Sequence, residues 1–230
     1  MKKLKIGFLL FPNLTQLDLM GPLQVLHRLA NSETFIVSKN INLVKSDCQI
    51  ELKPTHTYED CPDLDLLCVP GGFGVIDLLT DQETLCFVEK QANQAQFVTS
   101  VCTGAFVLGA AGLLAGKRAT THWAYADLLP SVGAIHEKSR IVRDGKIITS
   151  GGVTAGIDLA LIIISEVAGT DVAKSIQLGL EYDPEPPYDC GHPDRAPEKI
   201  RTVVGSHFIN SKENYREALK NIGMNVAIQV

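Results

Sequence analysis

The chain has 230 residues, 45% hydrophobic and 20% charged, with a formal net charge of −5 at pH 7. That is an ordinary globular composition, long enough for one well-covered core or two small ones. The acidic balance and the lack of a long basic run argue against nucleic acid or an anionic membrane as partner, and no apolar run reaches the roughly 18–20 residues of a membrane span.

The opening "MKKLKIGFLLFPNLTQLDLMGP" has a short apolar stretch followed by polar residues, so it reads as a first strand and not as a signal peptide. Leu4–Phe11 is continuous apolar sequence, as expected of a strand covered on both faces. Thr15–Ala30 has helical spacing interrupted by Pro22, which predicts a short turn and then the helix proper. Thr34–Ser38, Leu43–Val44 and Gln49–Leu52 read as short strands. "LDLLCVPGGFG" (64–74) is a buried strand entering a glycine turn, Asp81–Ala95 an amphipathic helix, Phe97–Val101 a third buried strand and Ala105–Leu114 the helix after it. "RATTHWAYADLLP" predicts a short strand to Thr121 and a helix from about Trp123. "RIVRDGKIITSGG" predicts a hairpin turning at Asp144-Gly145. Ala155–Ala168 is a strongly apolar helix, expected to be buried and N-capped by Thr154, and Val172–Tyr182 is another helix. Pro184–Pro197 is a proline-rich surface arm, and Lys199–Val230 is weakly patterned.

Buried strands alternating with helices predict an α/β fold, a doubly wound, mostly parallel sheet sandwiched by helices, with some antiparallel character from the hairpin. No composition break divides the chain, so residues 1–230 are expected to form one domain, with the arm at about 184–197 and a C-terminal extension at about 198–230. Ligands of such sheets bind beyond the carboxyl ends of the strands. Three stretches finish there: Phe11 onward, Gly71-Gly72 and Cys102.

Six cysteines form no C-x-x-C pair and no zinc-like Cys/His spacing, so a reduced, cytoplasmic protein with no metal site is expected. Most of these thiols read as small buried hydrophobes. Cys102 differs in position, because almost no loop separates the strand before it from the helix after it. A residue at such a turn is held strained with its side chain outward, and the helix start favours thiolate, the reactive species. A buried structural cysteine is the alternative.

Asp18, a lone carboxylate among apolar neighbours, falls at the same sheet edge. Burial and a neighbouring thiolate would raise its pKa and let it act as an acid; an idle carboxylate at a helix N-terminus is the alternative. The glycines of "PGGFG" would let Gly71 and Gly72 approach a ligand and offer a nest of N–H groups to developing negative charge, although a tight turn explains them equally well. His122 sits near a strand end in the relevant half, as ligand contact or as a hydrogen-bonded residue at a helix start, with Trp123 beside it as core or pocket wall. We assign Gly71, Gly72, His122 and Trp123 to substrate binding. Cys190 and His192 in the arm are too few for a metal site.

Together, "VCTGAFVLGAAGLLAGKRATTHWAYADLLP", "LLFPNLTQLDLMGP", "VPGGFGV" and "TSGGVTAGIDLAL" resemble the ThiJ/PfpI-like superfamily over residues 4 to about 197. The resemblance implies the flavodoxin-like fold of class I glutamine amidotransferases, with a cysteine elbow. Within the superfamily the likeness, including the arm "LEYDPEPPYDCGHPDRAP", is to members that hydrate isonitriles. It implies Cys102 as nucleophile, Asp18 as its acidic partner, and Thr103 as the residue contacting the water or substrate region. The implied reaction is hydration of an isonitrile to an N-substituted formamide through a covalent thioimidate, with isonitrile and water as partners, no cofactor, and a homodimeric assembly. PfpI-type peptidases have His after the cysteine, where this chain has Thr103. Glyoxalase-like members use Glu where this chain offers Asp18. The rival expectations are a small-carbonyl enzyme on the same thiol, and a ligand or redox sensor like the front half of AraC-type regulators.

Overall fold

The computed structural model describes residues 3–226, with side chains through Lys220. In chain order the elements are β1 (Leu4–Leu9), α1 (Gln16–Leu26), β2 (Ser32–Ser38), β3 (Val44–Lys45), β4 (Glu51–Leu52), β5 (His56–Thr57), β6 (Leu66–Val69), α2 (Val75–Leu78), α3 (Gln82–Gln94), β7 (Phe97–Val101) and α4 (Gly104–Ala110). After these come β8 (Arg118–Ala119), a 3-10 helix over Trp123–Val132, β9 (Ile135–His136), β10 (Ile141–Asp144), β11 (Ile147–Ser150), α5 (Ala155–Ala168), α6 (Thr170–Gly179), α7 (Glu198–His207) and α8 (Ile209–Val226).

Seven strands form the main sheet in the order β10-β11-β7-β6-β1-β2-β5. All neighbours are parallel except β10 and β11, the hairpin. Every residue of β6, β7 and β11 is buried, because helices cover both faces of a parallel sheet. The chain runs from β1 outward through β2 to β5, then returns to β6 on the other flank of β1. The topological switch point therefore lies between β1 and β6, where ligands of open α/β sheets bind. Phe8 of β1 and Phe106 of α4, both fully buried, belong to the core on which this edge rests. Truncating either to alanine would cost about 3–5 kcal/mol.

The helices differ from the sequence expectation in particular places. α1 continues through Pro22 without a preceding turn. The proline lacks only the N–H that would have met the Asp18 carbonyl, and its ring is seated against α5. A Cβ at Gly156 would lie 3.0 Å from Pro22 Cδ. α5 is buried along one side, but Ile162 is 40% exposed, so this apolar helix is not the fully enclosed one expected. The Thr154 hydroxyl makes no cap and instead accepts from the Arg140 guanidinium at 3.3 Å. The helix expected from Trp123 is a 3-10 helix, capped by His122 Nδ1, which accepts from Ala124 N–H at 3.3 Å. Residues 182–197 carry no helix or strand. The weakly patterned C-terminal stretch forms two helices, α7 and α8, with its last positions, 227–230, outside the described residues.

Candidate active site

Cys102 stands between the last residue of β7 and the first turn of α4, with φ of 56°. Left-handed backbone costs an L-residue about 1–2 kcal/mol, so surrounding structure must hold it there. It does so through two acceptors for the Cys102 N–H, the carbonyls of Ser150 and Gly151, both at 3.1 Å. The Thr121 hydroxyl donates to the Cys102 carbonyl at 2.8 Å. Gly104 lets the elbow sit on the end of β6, since a Cβ there would fall 2.2 Å from the Val69 carbonyl oxygen.

Asp18, in the first turn of α1, is fully buried. Its Oδ2 accepts from the Gly71 N–H at 2.9 Å, across 53 positions of sequence. Its Oδ1 has no hydrogen-bond partner among the described residues. The Cys102 thiol is near enough that each group shifts the other's titration. Burial raises the Asp18 pKa from 3.8 to about 7, against the pull of the Gly71 N–H and of the Cys102 side chain, with a small further rise from Asp47. The like charge that adds to burial is therefore that of Asp47, not a thiolate.

The sequence expectation of a resting thiolate is corrected. Burial, and then the Asp18 charge, push the Cys102 thiol well above its ordinary 9.0. The N–H groups of Thr103 and Val153 favour the thiolate but do not outweigh those effects. Desolvation moves a buried group by up to 3–5 pKa units, whereas a helix start contributes about 0.3–1 kcal/mol, and α4 is only seven residues long. The sulfur is nonetheless not enclosed by hydrocarbon, since two amides and a carboxyl face it.

The open N–H nest expected at Gly71-Gly72 is also corrected. Gly71 N–H is engaged by Asp18, and Gly72 N–H donates to Thr103 Oγ1 at 3.0 Å. These glycines organise Asp18 and Thr103. His122 lies against Gly152, where a Cβ would meet its Cδ2 at 2.4 Å. Burial lowers its pKa to about 4, so the ring is neutral at pH 7. Trp123, 37% exposed, borders a surface pocket of about 80 Å³ that includes Cys190, His192 and Arg201. Cys102, Asp18, Thr103, Gly71 and Gly72 thus converge, His122 stands beside the loop preceding Val153, and Trp123 lies further out. Among the described residues no group of three or more His, Cys, Asp or Glu could hold a metal ion.

Tyr125 and Tyr215 were not anticipated. Burial raises the pKa of both hydroxyls. Tyr215 is 1% exposed, and its hydroxyl donates to the Gly72 carbonyl at 3.5 Å. The one local signal was the i, i+4 pair Tyr215 and Leu219, both buried on one face of α8.

Residues 4–166 match the DJ-1/PfpI family. The chain is 58% identical over 197 residues to isonitrile hydratase of Pseudomonas putida, 86% of each chain being covered. It is 30% identical over 188 residues to the HTH-type transcriptional regulator GbdR of Pseudomonas aeruginosa, covering 77% of this chain and 50% of the regulator. The crystal structure of a ThiJ/PfpI family protein from Pseudomonas syringae superposes with a TM-score of 0.93 at 38% identity, covering 95% of this chain and 91% of that one. An elbow cysteine at the end of β7, one strand from the sheet's switch point, a buried carboxyl beside it, and these likenesses agree: the chain belongs to the DJ-1/PfpI family.

Proposed function

We propose that this protein hydrates isonitriles to N-substituted formamides, with Cys102 as nucleophile and Asp18 as the group that moves protons. One observation carries the reading: a fully buried carboxyl, with one oxygen fixed by Gly71 and the other unpartnered, sits beside the elbow thiol. The likeness to isonitrile hydratase of Pseudomonas putida supports it.

The reaction begins with the thiol, which burial and then the Asp18 charge push well above its ordinary pKa. The Asp18 carboxylate takes the thiol proton as sulfur attacks the terminal carbon of R–NC, and the carboxyl then returns that proton to the same carbon. The product is the thioimidate R–N=CH–S–Cys102. Water adds to this carbon, with Asp18 relaying a proton to nitrogen, to give R–NH–CH(OH)–S–Cys102. The C–S bond breaks as C=O forms, the hydroxyl proton passes through Asp18 to sulfur, and R–NH–CHO leaves. A carboxyl titrating at about 7 is matched to accept and give a proton near neutral pH; such help is worth about 10²–10⁴ in rate. No imidazole is required, in keeping with Thr103 after the cysteine.

We take the arm and C-terminal helices as parts of the same domain, and the protein as a cytoplasmic homodimer. All six cysteines are free, in keeping with a reducing compartment, and no described helix is long and apolar enough to cross a membrane. The α1–α5 face, where Leu17 is 43% exposed near Ile157, is the apolar surface a second copy would cover. The deciding experiment incubates phenyl isonitrile with the wild type and with Cys102→Ala and follows the formamide proton by NMR. Formamide from the wild type alone is expected; undiminished production by the variant would overturn the mechanism.

A further inference from the structure

The turn between β3 and β4 docks on the stretch that joins β1 to α1. Asn13 N–H donates to the Lys45 carbonyl at 2.9 Å, and Asp47 N–H donates to the Leu14 carbonyl at 3.0 Å. Asp47 Oδ1 accepts from the Gln16 N–H at 3.0 Å, and the fully buried Ser46 donates through Oγ to Gln16 Oε1 at 2.9 Å. Gln16 N–H belongs to the first turn of α1, whose amides have no acceptor within the helix. Thr15, at the N-cap, supplies no side-chain acceptor. Asp47, 31 positions away and half-buried, takes that place.

The opposite side of the same stretch meets the glycine turn after β6. Thr15 N–H donates to the Gly71 carbonyl at 2.9 Å, and Gly74 N–H donates to the Asn13 carbonyl at 3.2 Å. Leu14 forms an isolated antiparallel bridge with Gly72. Residues 13–16 are therefore held between the Asp47 turn and the glycine turn. Asp18 follows in the same helical turn, its own N–H bonded to the Thr15 carbonyl at 3.0 Å and its Oδ2 returning to the Gly71 N–H.

We propose that Asp47 is a positioning residue for the reaction, anchoring the first turn of α1 through its carboxylate and facing Asp18 with a like charge. This rests on the isonitrile reading for the reaction assisted, but not for the placing of Asp18. The titratable groups that bear on Asp18 are Cys102 at the elbow, Cys68 in β6 and Asp47. Burial pushes both thiols upward, Cys68 to about 12, so Asp47 brings the negative charge that opposes ionisation of Asp18. The exposed Cys48 is the titratable neighbour of Asp47 itself, whose carboxylate pushes that thiol upward. The oxygen of Asp47 thus fixes where Asp18 stands, and its charge favours the protonated carboxyl.

Two substitutions separate the oxygen from the charge. Asp47→Asn keeps an acceptor for the Gln16 N–H and removes the charge, whereas Asp47→Ala removes both. Formamide production is followed by NMR across neutral pH, and the Asp18 carboxyl carbon, identified by its loss in Asp18→Asn, is titrated by carbon NMR. Asp47→Ala should lose about tenfold in kcat with KM within about twofold, because misplaced reacting groups slow turnover without loosening the substrate. Asp47→Asn should turn over at least about threefold faster than Asp47→Ala. Its Asp18 titration, and the rising limb of its pH–rate profile, should both move toward acid, since a neighbouring negative charge has been removed. A kcat for Asp47→Ala within about twofold of wild type, or an Asp18 carbon that titrates at the wild-type pH in Asp47→Asn, would overturn the assignment. Should the alanine variant not fold, the asparagine titration decides alone. A titration that moves in Asp47→Asn, with no formamide from the wild type, would overturn the isonitrile reading and leave the role of Asp47 standing.

Discussion

The amide of Gly71 donates to Asp18 Oδ2 at 2.9 Å, and a Cβ at the same position would lie only 2.8 Å from that oxygen. The glycine thus both holds the carboxyl and makes room for it. The same Cβ would fall 2.6 Å from the Thr103 amide nitrogen, which belongs to the elbow backbone and cannot yield as a flexible side chain would.

Gly71→Ala should therefore separate folding from catalysis. Overpacking of this kind costs about 1–3 kcal/mol, while a displacement near 1 Å at reacting groups can cost 10²-fold in rate. A folded variant, with a lowered melting temperature and formamide production reduced about a hundredfold, is expected from thermal unfolding and NMR assay. Wild-type turnover in the variant would mean that the Gly71–Asp18 contact does not position the carboxyl.

Asp18→Asn should abolish turnover and stabilise the protein at alkaline pH. The unfolded carboxyl ionises near 3.8 and the folded one near 7. Between those values the folded state holds more protons, so wild-type stability falls as pH rises from about 4 to 7 and levels off above. Some three pKa units correspond to an upper bound on the order of 4 kcal/mol. Denaturant unfolding at pH 4.5 and pH 8 should find the variant gaining on the wild type only at the higher pH; an equal difference at both would contradict a raised Asp18.

The same carboxylate raises the Cys102 thiol. In Asp18→Asn, thiolate absorbance near 240 nm should therefore appear at lower pH than in the wild type, with Cys102→Ala as the blank. An unmoved titration would leave burial as the sole cause of the shift.

Leu17, 43% exposed on α1, lies beside Gly21, whose Cβ position is 3.3 Å from Ile157 Cγ1 of α5. If a second copy covers this face, Leu17→Glu should halve the mass measured by light scattering with no loss of helical circular dichroism. A wild type already monomeric, or a variant still dimeric, would place the contact elsewhere or remove it.

Much of this site was legible from local pattern. The apolar runs at Leu4–Phe11 and Phe97–Val101 stop where the sheet ends, and the residues shortly after them, Asp18 and Cys102, must lie at that edge. The ionisation state of Cys102 was not legible, because helix position is a local property and desolvation is not. Nor was the engagement of the Gly71 and Gly72 amides, whose acceptors come from α1 and the elbow.

The parallel sheet, the elbow and the placing of Asp18 and Cys102 at one sheet edge were determined by the sequence alone, since alternating buried strands and helices leave few ways to arrange a parallel sheet. Only the tertiary structure decided that burial and the Asp18 charge push the thiol pKa upward and that Tyr215 of α8 reaches the Gly72 carbonyl. Tyr215 and the Gly72 carbonyl are 143 positions apart. Nothing in the periodicity of a helix specifies which distant surface its buried face will cover; packing against Phe106 and Tyr125 does.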